Sequence, residues 1–331
     1  MKPLISILIP VYNVELYIEK CLHSLFANTI IDKCEIIIVD DCSPDNSVAI
    51  IERLLDENII LKDRVLLLHH EKNRGLAAAR NTAFDRAQGK YFICVDSDDW
   101  VEPNYLEELY NKAEEDNSDI VGCDLFSEYY NKTFVKTQPI SSDNLQCLKD
   151  MYSVKINGWL WIKLIKRELL LKNNIRWIEG KNILEDLIIM TKCFFYSKKT
   201  SYVNKPLYHY NHNTNSYMGS LMTITKSNEL VSALYEVERF LYEKGQKDLI
   251  EILKIQKLHL KLSLLFKGNK EVRKKYLTLW PEANSQLYAF KTSKIRKIIL
   301  YYSINNPKIA SFLLFILCAL KRLSGRNLFI K

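Results

Sequence analysis

Residues Tyr91 to Trp100 read YFICVDSDDW. Five apolar residues (Tyr91, Phe92, Ile93, Cys94 and Val95) empty into Asp96, Asp98 and Asp99, with Ser97 between them. An apolar run of this length, rich in β-branched and aromatic residues, reads as a buried strand. Three carboxylates at its end repel one another, which costs stability and raises their pKa values. A hard divalent cation relieves such repulsion and prefers oxygen ligands, so Asp96, Asp98 and Asp99 could hold a metal, with Asp98 and Asp99 the expected ligands. A helix cap near Pro103 is the plainer alternative, but a cap needs one acid rather than three.

Working back toward the N-terminus, Leu4–Ile9 is an apolar run ending at Pro10-Val11-Tyr12-Asn13. Val14–Phe26 follows at near-helical spacing. Glu35–Val39 is a second strand leading into Asp40-Asp41, and Val65–Leu68 is a third. Asn73-Arg74-Gly75 opens an Ala-rich helix running through Ala87. Strand and helix thus alternate four times with short turns. This predicts an α/β fold with a mostly parallel sheet flanked by helices. Ligands of such sheets bind beyond the carboxyl ends of the strands. Those ends carry Pro10 to Asn13, Asp40-Asp41, His69 to Gly75 and Asp96 to Asp99. Tyr12 could stack a base and Asp41 accept from one, although each alone also reads as rim packing or a turn. No GxGxxG follows the first strand and no GxxxxGK[ST] occurs, so neither dinucleotide nor P-loop binding is supported.

After Asp119 the pattern changes. Ile120–Phe126 and Tyr129–Val135 read as strands, and Trp159-Leu160-Trp161-Ile162-Lys163 precedes a short helix at Arg167–Lys172. Glu185-Asp186 heads an apolar helix from Leu187 to Phe195, where acids also suit the helix dipole. Tyr202–Val203 and Leu207–Tyr210 are expected strands. The cluster Tyr208-His209-Tyr210, His212 and Ser216 is polar and aromatic. Its histidines are expected as hydrogen-bonding groups more than as metal ligands. From Leu221 on, the sequence reads as helix.

The chain has 331 residues, 48% of them apolar, enough for a large core and two domains. The expected division is 1–220, split into a donor half (1–118) and an acceptor half (119–220), followed by a helical, basic region over 221–331. Nine of the 47 basic residues and none of the 39 acidic ones lie beyond Glu282. The net charge of +8 therefore divides into +9 for the tail and about −1 for the rest. The body is no nucleic-acid surface. The near-apolar stretch Ile309–Leu320 is too short to span a bilayer; it could bury in protein, or its basic flanks could hold it on an anionic membrane face, the slightly favoured expectation. The eight cysteines form no CxxC pair, and the first apolar run is too short for a signal peptide. Both features predict a cytoplasmic protein.

Together SILIPVYNVELYIEKCLHSL, IIIVDDCSPDNS, NRGLAAARN, VDSDDW and WIKLIKRELL…EG…ILEDL resemble, in order, glycosyltransferase family 2. The resemblance covers roughly residues 1–216 and implies an inverting transferase of GT-A type fold. It implies a nucleotide-diphosphate sugar donor, commonly a UDP-sugar, and Mn²⁺ or Mg²⁺. The acceptor would be a glycan or lipid-linked glycan of a cell-surface polysaccharide. By the same resemblance Pro10, Tyr12, Asn13, Asp41 and Arg74 lie at the nucleotide. Asp96, Ser97, Asp98 and Asp99 match the acidic motif for ribose, diphosphate and metal. Asp186, beside Glu185, would be the catalytic base, and Trp161 and Lys163 would shape the acceptor side. Arg80 matches the family's ARN, with no role attached. A sugar-nucleotide-forming nucleotidyltransferase is the rival enzyme class, but it would need a glycine-rich basic loop where Pro10-Val11-Tyr12-Asn13 stands. An inactive sugar-nucleotide-binding protein is the non-enzyme rival.

Overall fold

The computed structural model describes residues 2–212 and 222–324. It resolves into two compact units, residues 1–148 with 156–216, and residues 149–155 with 217–331. Ser216 lies outside the described residues.

The first unit is built on a nine-stranded sheet. In chain order its strands are β1 (Ile5–Val11), β2 (Glu35–Asp40), β3 (Val65–His69), β4 (Tyr91–Cys94), β5 (Trp100–Val101), β6 (Ile120–Tyr129), β7 (Lys132–Lys136), β8 (Lys163–Lys166) and β9 (Thr200–Asn211). Its helices are α1 (Ile18–Phe26), α2 (Ser47–Glu57), α3 (Ile59–Lys62), α4 (Leu76–Arg86), α5 (Tyr105–Asp116), α6 (Asn144–Tyr152, running on into the second unit), α7 (Arg167–Lys172) and α8 (Glu185–Tyr196).

The strand order is β3-β2-β1-β4-β8-β6-β9-β5, with β7 paired to β6. β3, β2, β1 and β4 run parallel, and every residue of β1 and β4 is buried, as continuous apolar strands under helices on both faces require. The chain steps outward from β1 to β3 and then returns to place β4 on the other side of β1. The carboxyl ends of β1 and β4 therefore meet at a switch point. Beyond β4 the sheet becomes mixed: β8 pairs antiparallel to β4 and β6, while β9 runs parallel to β6. Ala77, Ala78, Ala79 and Ala83 of α4 are fully buried, the small side chains letting this helix lie close to its neighbours.

Most expected elements sit where the sequence places them, with three differences. The first helix begins at Ile18, because Tyr17 and Ile18 both donate backbone N–H groups to Val14 and make a turn first. Trp100–Val101 forms a short strand on β9. Finally, β9 is one strand, not two: Asn204-Lys205-Pro206 stays within it where the register against β6 shifts around Asp124. A bulge tolerates the proline that would break a regular ladder.

The second unit is helical in its described residues: α9 (Ile224–Glu243), α10 (Lys247–Lys267), α11 (Lys270–Tyr276), a 3₁₀ turn (Pro281–Gln286), α12 (Lys294–Asn305) and α13 (Pro307–Ser324). Thr223 and Asn269 cap α9 and α11 by accepting the backbone N–H groups of Lys226 and Val272. Leu230, Leu234, Val237 and Leu241 form the buried stripe of α9. Lys257 on α10 is buried between Glu238 and Glu282, at 2.6 and 2.8 Å.

Candidate active site

The carboxyl edge of the parallel strands is a set of loops tied to one another. Pro10 is buried in β1, Tyr12 stands half exposed past its end, and Asn13 adopts a left-handed φ of 56°. The backbone N–H groups of Asn13, Val14 and Glu15 donate to Ser43, Ser47 and Asp45, fastening this loop to the one after β2. Asp41 is buried. Its Oδ1 accepts from the Arg74 backbone N–H at 2.8 Å and meets His70 Nδ1 at 2.6 Å, while Oδ2 accepts from Gly75 N–H at 2.7 Å. These bonds give Asp41 a turn role at the same strand edge where the base contact is expected. Both its oxygens are already engaged in shaping the Asn73–Gly75 loop. Gly75 sits at φ 89°, and a Cβ there would come within 2.6 Å of the Asn182 side chain. Arg74 is exposed and pairs with Glu179 at 2.8 Å.

Asn182 accepts the Ala77 N–H at the start of α4, and Asn81 exchanges two hydrogen bonds with the Trp177 backbone. These contacts pin the segment before α8 onto α4 and so set the place of Glu185 and Asp186. Between them lies Arg80, 1% exposed, whose guanidinium meets Glu185 and Asp186 at 2.8 Å and Asp96 at 2.9 Å. One buried cation thus joins the end of β4 to the start of α8. Burial alone would lower the Arg80 pKa, but Asp186 and Asp96 outweigh it and hold it well above its ordinary value. Burial, reinforced by Asp186, pushes Glu185 up to about 8 despite Arg80. Burial also raises Asp186, opposed by Arg80; its second oxygen accepts from Leu160 N–H at 3.3 Å.

Asp96 and Asp98 are partly exposed, Ser97 is buried, and Asp99 is 1% exposed. Asp99 accepts from the Tyr208 hydroxyl at 2.8 Å and from Asn211 N–H at 2.7 Å, while Asp96 N–H donates to the same Tyr208 oxygen. Burial first, and then Asp98 and Asp96, raise its pKa well above the carboxylate range. Through these two bonds Asp99, expected as a metal ligand, also fastens the acidic turn to β9. Among the described residues no three His, Cys, Asp or Glu side chains form a ready-made metal cage. Cations that bind with a substrate's phosphates do not need one, since one or two carboxylates suffice. Asp98, together with the surplus of negative charge around Arg80, fits that arrangement.

Trp161 is buried and stacks on Tyr208 and Tyr210, at ring separations of 4.5 and 5.3 Å. Lys163 is buried too, its ammonium donating to the Asn157 and Trp159 carbonyls, and burial lowers its pKa to about 8. Both support the 157–161 segment from beneath. His209 lies between Glu102 and Glu128, and His212 pairs with Ser127, so these histidines are hydrogen-bonding groups.

The model of the family described as glycosyl transferase family 2 matches residues 6–197. The chain belongs to that family. It is 32% identical over 256 residues to EpsH of Bacillus subtilis, covering 74% of this chain and 71% of EpsH. It is 30% identical over 310 residues to the cholesterol galactosyltransferase of Borreliella burgdorferi, covering 89% and 82%. Among solved structures, that of S. aureus TarS residues 1–349 in complex with UDP-GlcNAc superposes with a TM-score of 0.69 at 18% identity, covering 100% of this chain and 94% of that one. The fold is therefore GT-A, and the protein is a glycosyltransferase.

In this glycosyltransferase the sequence reading left Arg80 without a role. A signal was present: Ala77, Arg80, Ala83 and Phe84 recur at helical spacing and are all buried, so the arginine lies on the inner face of α4.

Proposed function

We propose that this glycosyltransferase moves a sugar, with inversion, from a nucleotide-diphosphate sugar to a hydroxyl of a glycan or lipid-linked glycan. A UDP-sugar is the favoured donor, and the product is a cell-surface polysaccharide built at the cytoplasmic face of the membrane. The observation that carries the reading is the Arg80 cluster, which holds the donor-side Asp96 and the acceptor-side Glu185 and Asp186 around one guanidinium.

Tyr12 would stack the base beside Pro10 and Asn13, on the rim whose neighbouring loop Asp41 organises and Arg74 borders. Asp96, Ser97 and Asp98 would meet ribose and diphosphate, with Asp98 holding Mn²⁺ or Mg²⁺. When bound, the cation supplies neutralisation of the charge growing on the departing diphosphate. Asp186 would take the proton of the attacking acceptor hydroxyl. Its raised pKa makes it a stronger base than an ordinary carboxylate, and it must let go of Leu160 N–H or Arg80 to do so. Attack from the face opposite the diphosphate, with one base, inverts the anomeric carbon, as in inverting glycosidases with a sugar hydroxyl replacing water. Trp161 and Lys163 would act by holding the 157–161 wall of the acceptor pocket.

The test is a panel of sugar nucleotides scored by thermal stabilisation with Mn²⁺, with Mg²⁺ and with EDTA. One UDP-sugar is expected to stabilise the protein only with metal, and Asp98→Ala should abolish the effect. Stabilisation that is indifferent to EDTA and to Asp98 would overturn the metal part. No stabilisation by any sugar nucleotide would overturn the donor part.

A further inference from the structure

Helices α12 and α13 are apolar on two sides. Their inner sides are already occupied: Ile299, Ala310 and Leu314 are buried in a cluster with Leu265 and Leu277. Their outer sides carry a second apolar set. On α12, Ile295, Ile298 and Tyr301 recur every three residues and are 42%, 45% and 51% exposed. On α13, Phe312 and Phe315 are 63% and 71% exposed, flanked by Ile309 and Ile316. At about 100° per residue, Ile309, Phe312, Phe315 and Ile316 fall within one arc, opposite Ala310 and Leu314. Single exposed apolar residues need no explanation, but such a set on each of two helices that share one buried cluster does.

The charge around these faces identifies what covers them. From Ala283 to the last residue the chain has nine basic side chains and no acidic one, among them Lys294 and Lys308, the sequence neighbours of Ile295 and Ile309. A second copy docking by a two-fold axis would bring that charge against itself. An anionic surface would be matched by it, and lysine and arginine stems can lie along an apolar face with their heads at phosphate level. Among the described residues no helix is long and apolar enough to cross a membrane.

We infer that the outer faces of α12 and α13 form an interfacial docking surface for an anionic lipid bilayer. Phe312, Phe315, Ile295, Ile298 and Tyr301 enter the headgroup boundary, and the surrounding lysines and arginines meet lipid phosphates. Binding combines buried apolar area with charge attraction, so it requires both. This deepens the proposal that transfer occurs at a membrane, and it assigns the contact to a face of the second unit.

The test is co-sedimentation of the full chain with vesicles of phosphatidylcholine alone, or of phosphatidylcholine with about a third phosphatidylglycerol, at about 0.1 M salt. Binding to the anionic vesicles is expected to be at least about tenfold tighter and to fall as salt rises toward about 1 M. The double variant Phe312→Ser/Phe315→Ser should lose about tenfold or more of it, as should the charge reversal Lys294→Glu/Lys308→Glu. The second variant decides the matter if the first folds poorly. Equal binding to both vesicle types, or variants that bind as the wild type does, would overturn the inference. So would a wild-type dimer that these changes dissolve without any vesicle capture. Donor-induced thermal stabilisation, measured without vesicles, should be unchanged in both variants, so failure here and failure of the transferase reading are separately visible.

Discussion

Replacing Arg80 by alanine tests how the site is held together. The wild-type guanidinium makes three contacts of 2.8 to 2.9 Å with carboxylates while almost wholly buried. Each such contact is worth about 4 kcal/mol at an effective dielectric of about 20, set against several kcal/mol of desolvation for each ion. Removing one partner of a buried pair costs about 3–5 kcal/mol. Three carboxylates left together escape part of that cost only by taking up protons. The penalty of Arg80→Ala should therefore be about 3–5 kcal/mol near pH 8 and shrink to about 1–2 kcal/mol near pH 5, where protonation relieves the repulsion. The sign is fixed because carboxyl groups with raised folded-state pKa values destabilise the fold as pH rises through the interval between unfolded and folded values. The assay is urea unfolding at several pH values, followed by tryptophan fluorescence. Four of the five tryptophans (Trp100, Trp159, Trp161 and Trp177) belong to the first unit and report on it. A second substitution, Glu185→Gln, should recover part of the loss. A penalty below about 1 kcal/mol at pH 8, or one that does not change with pH, would refute the hub.

Three further outcomes follow from the same geometry. Glu185→Gln in the otherwise wild-type chain should raise stability by up to a few kcal/mol near pH 8, with the gain vanishing toward pH 4.5, because the native glutamate has its pKa pushed up to about 8; thermal melts across that range measure it. Tyr208→Phe removes the hydroxyl donor to buried Asp99 and the acceptor for Asp96 N–H, and should cost about 1–3 kcal/mol in chemical unfolding. Gly75→Ala places a Cβ at φ 89° against Asn182, and should cost about 1–2 kcal/mol of stability while weakening donor-induced thermal stabilisation.

The donor half of the sheet was legible because β1, β2 and β4 are continuous apolar runs closed by turn residues, the pattern that strands buried on both faces must have. The candidate site was legible as carboxylates at strand and helix ends, but not in which of them bond inward. Asp98 and Asp99 are neighbours of identical chemistry, and only the return of β9, bringing Tyr208 and Asn211, turns one of them inward. Asp41 likewise lies at the expected edge, yet the backbone of a loop more than thirty residues away takes its oxygens. Long-range partners of this kind leave no periodicity in the sequence. The β9 strand was read as two pieces for a local reason: Pro206 signals a break, and the register shift opposite Asp124 that accommodates it is visible only once β6 is alongside.

The most direct test of the central claim uses water as the acceptor. With the stabilising UDP-sugar and Mn²⁺, slow hydrolysis is followed by proton NMR to identify the first-formed anomer, in the wild type and in Asp186→Asn. The account predicts release of the sugar with its anomeric configuration inverted. It also predicts release lowered by about a hundredfold or more in Asp186→Asn, with donor-induced thermal stabilisation retained. Release with retained configuration, or undiminished release by the variant, would contradict it.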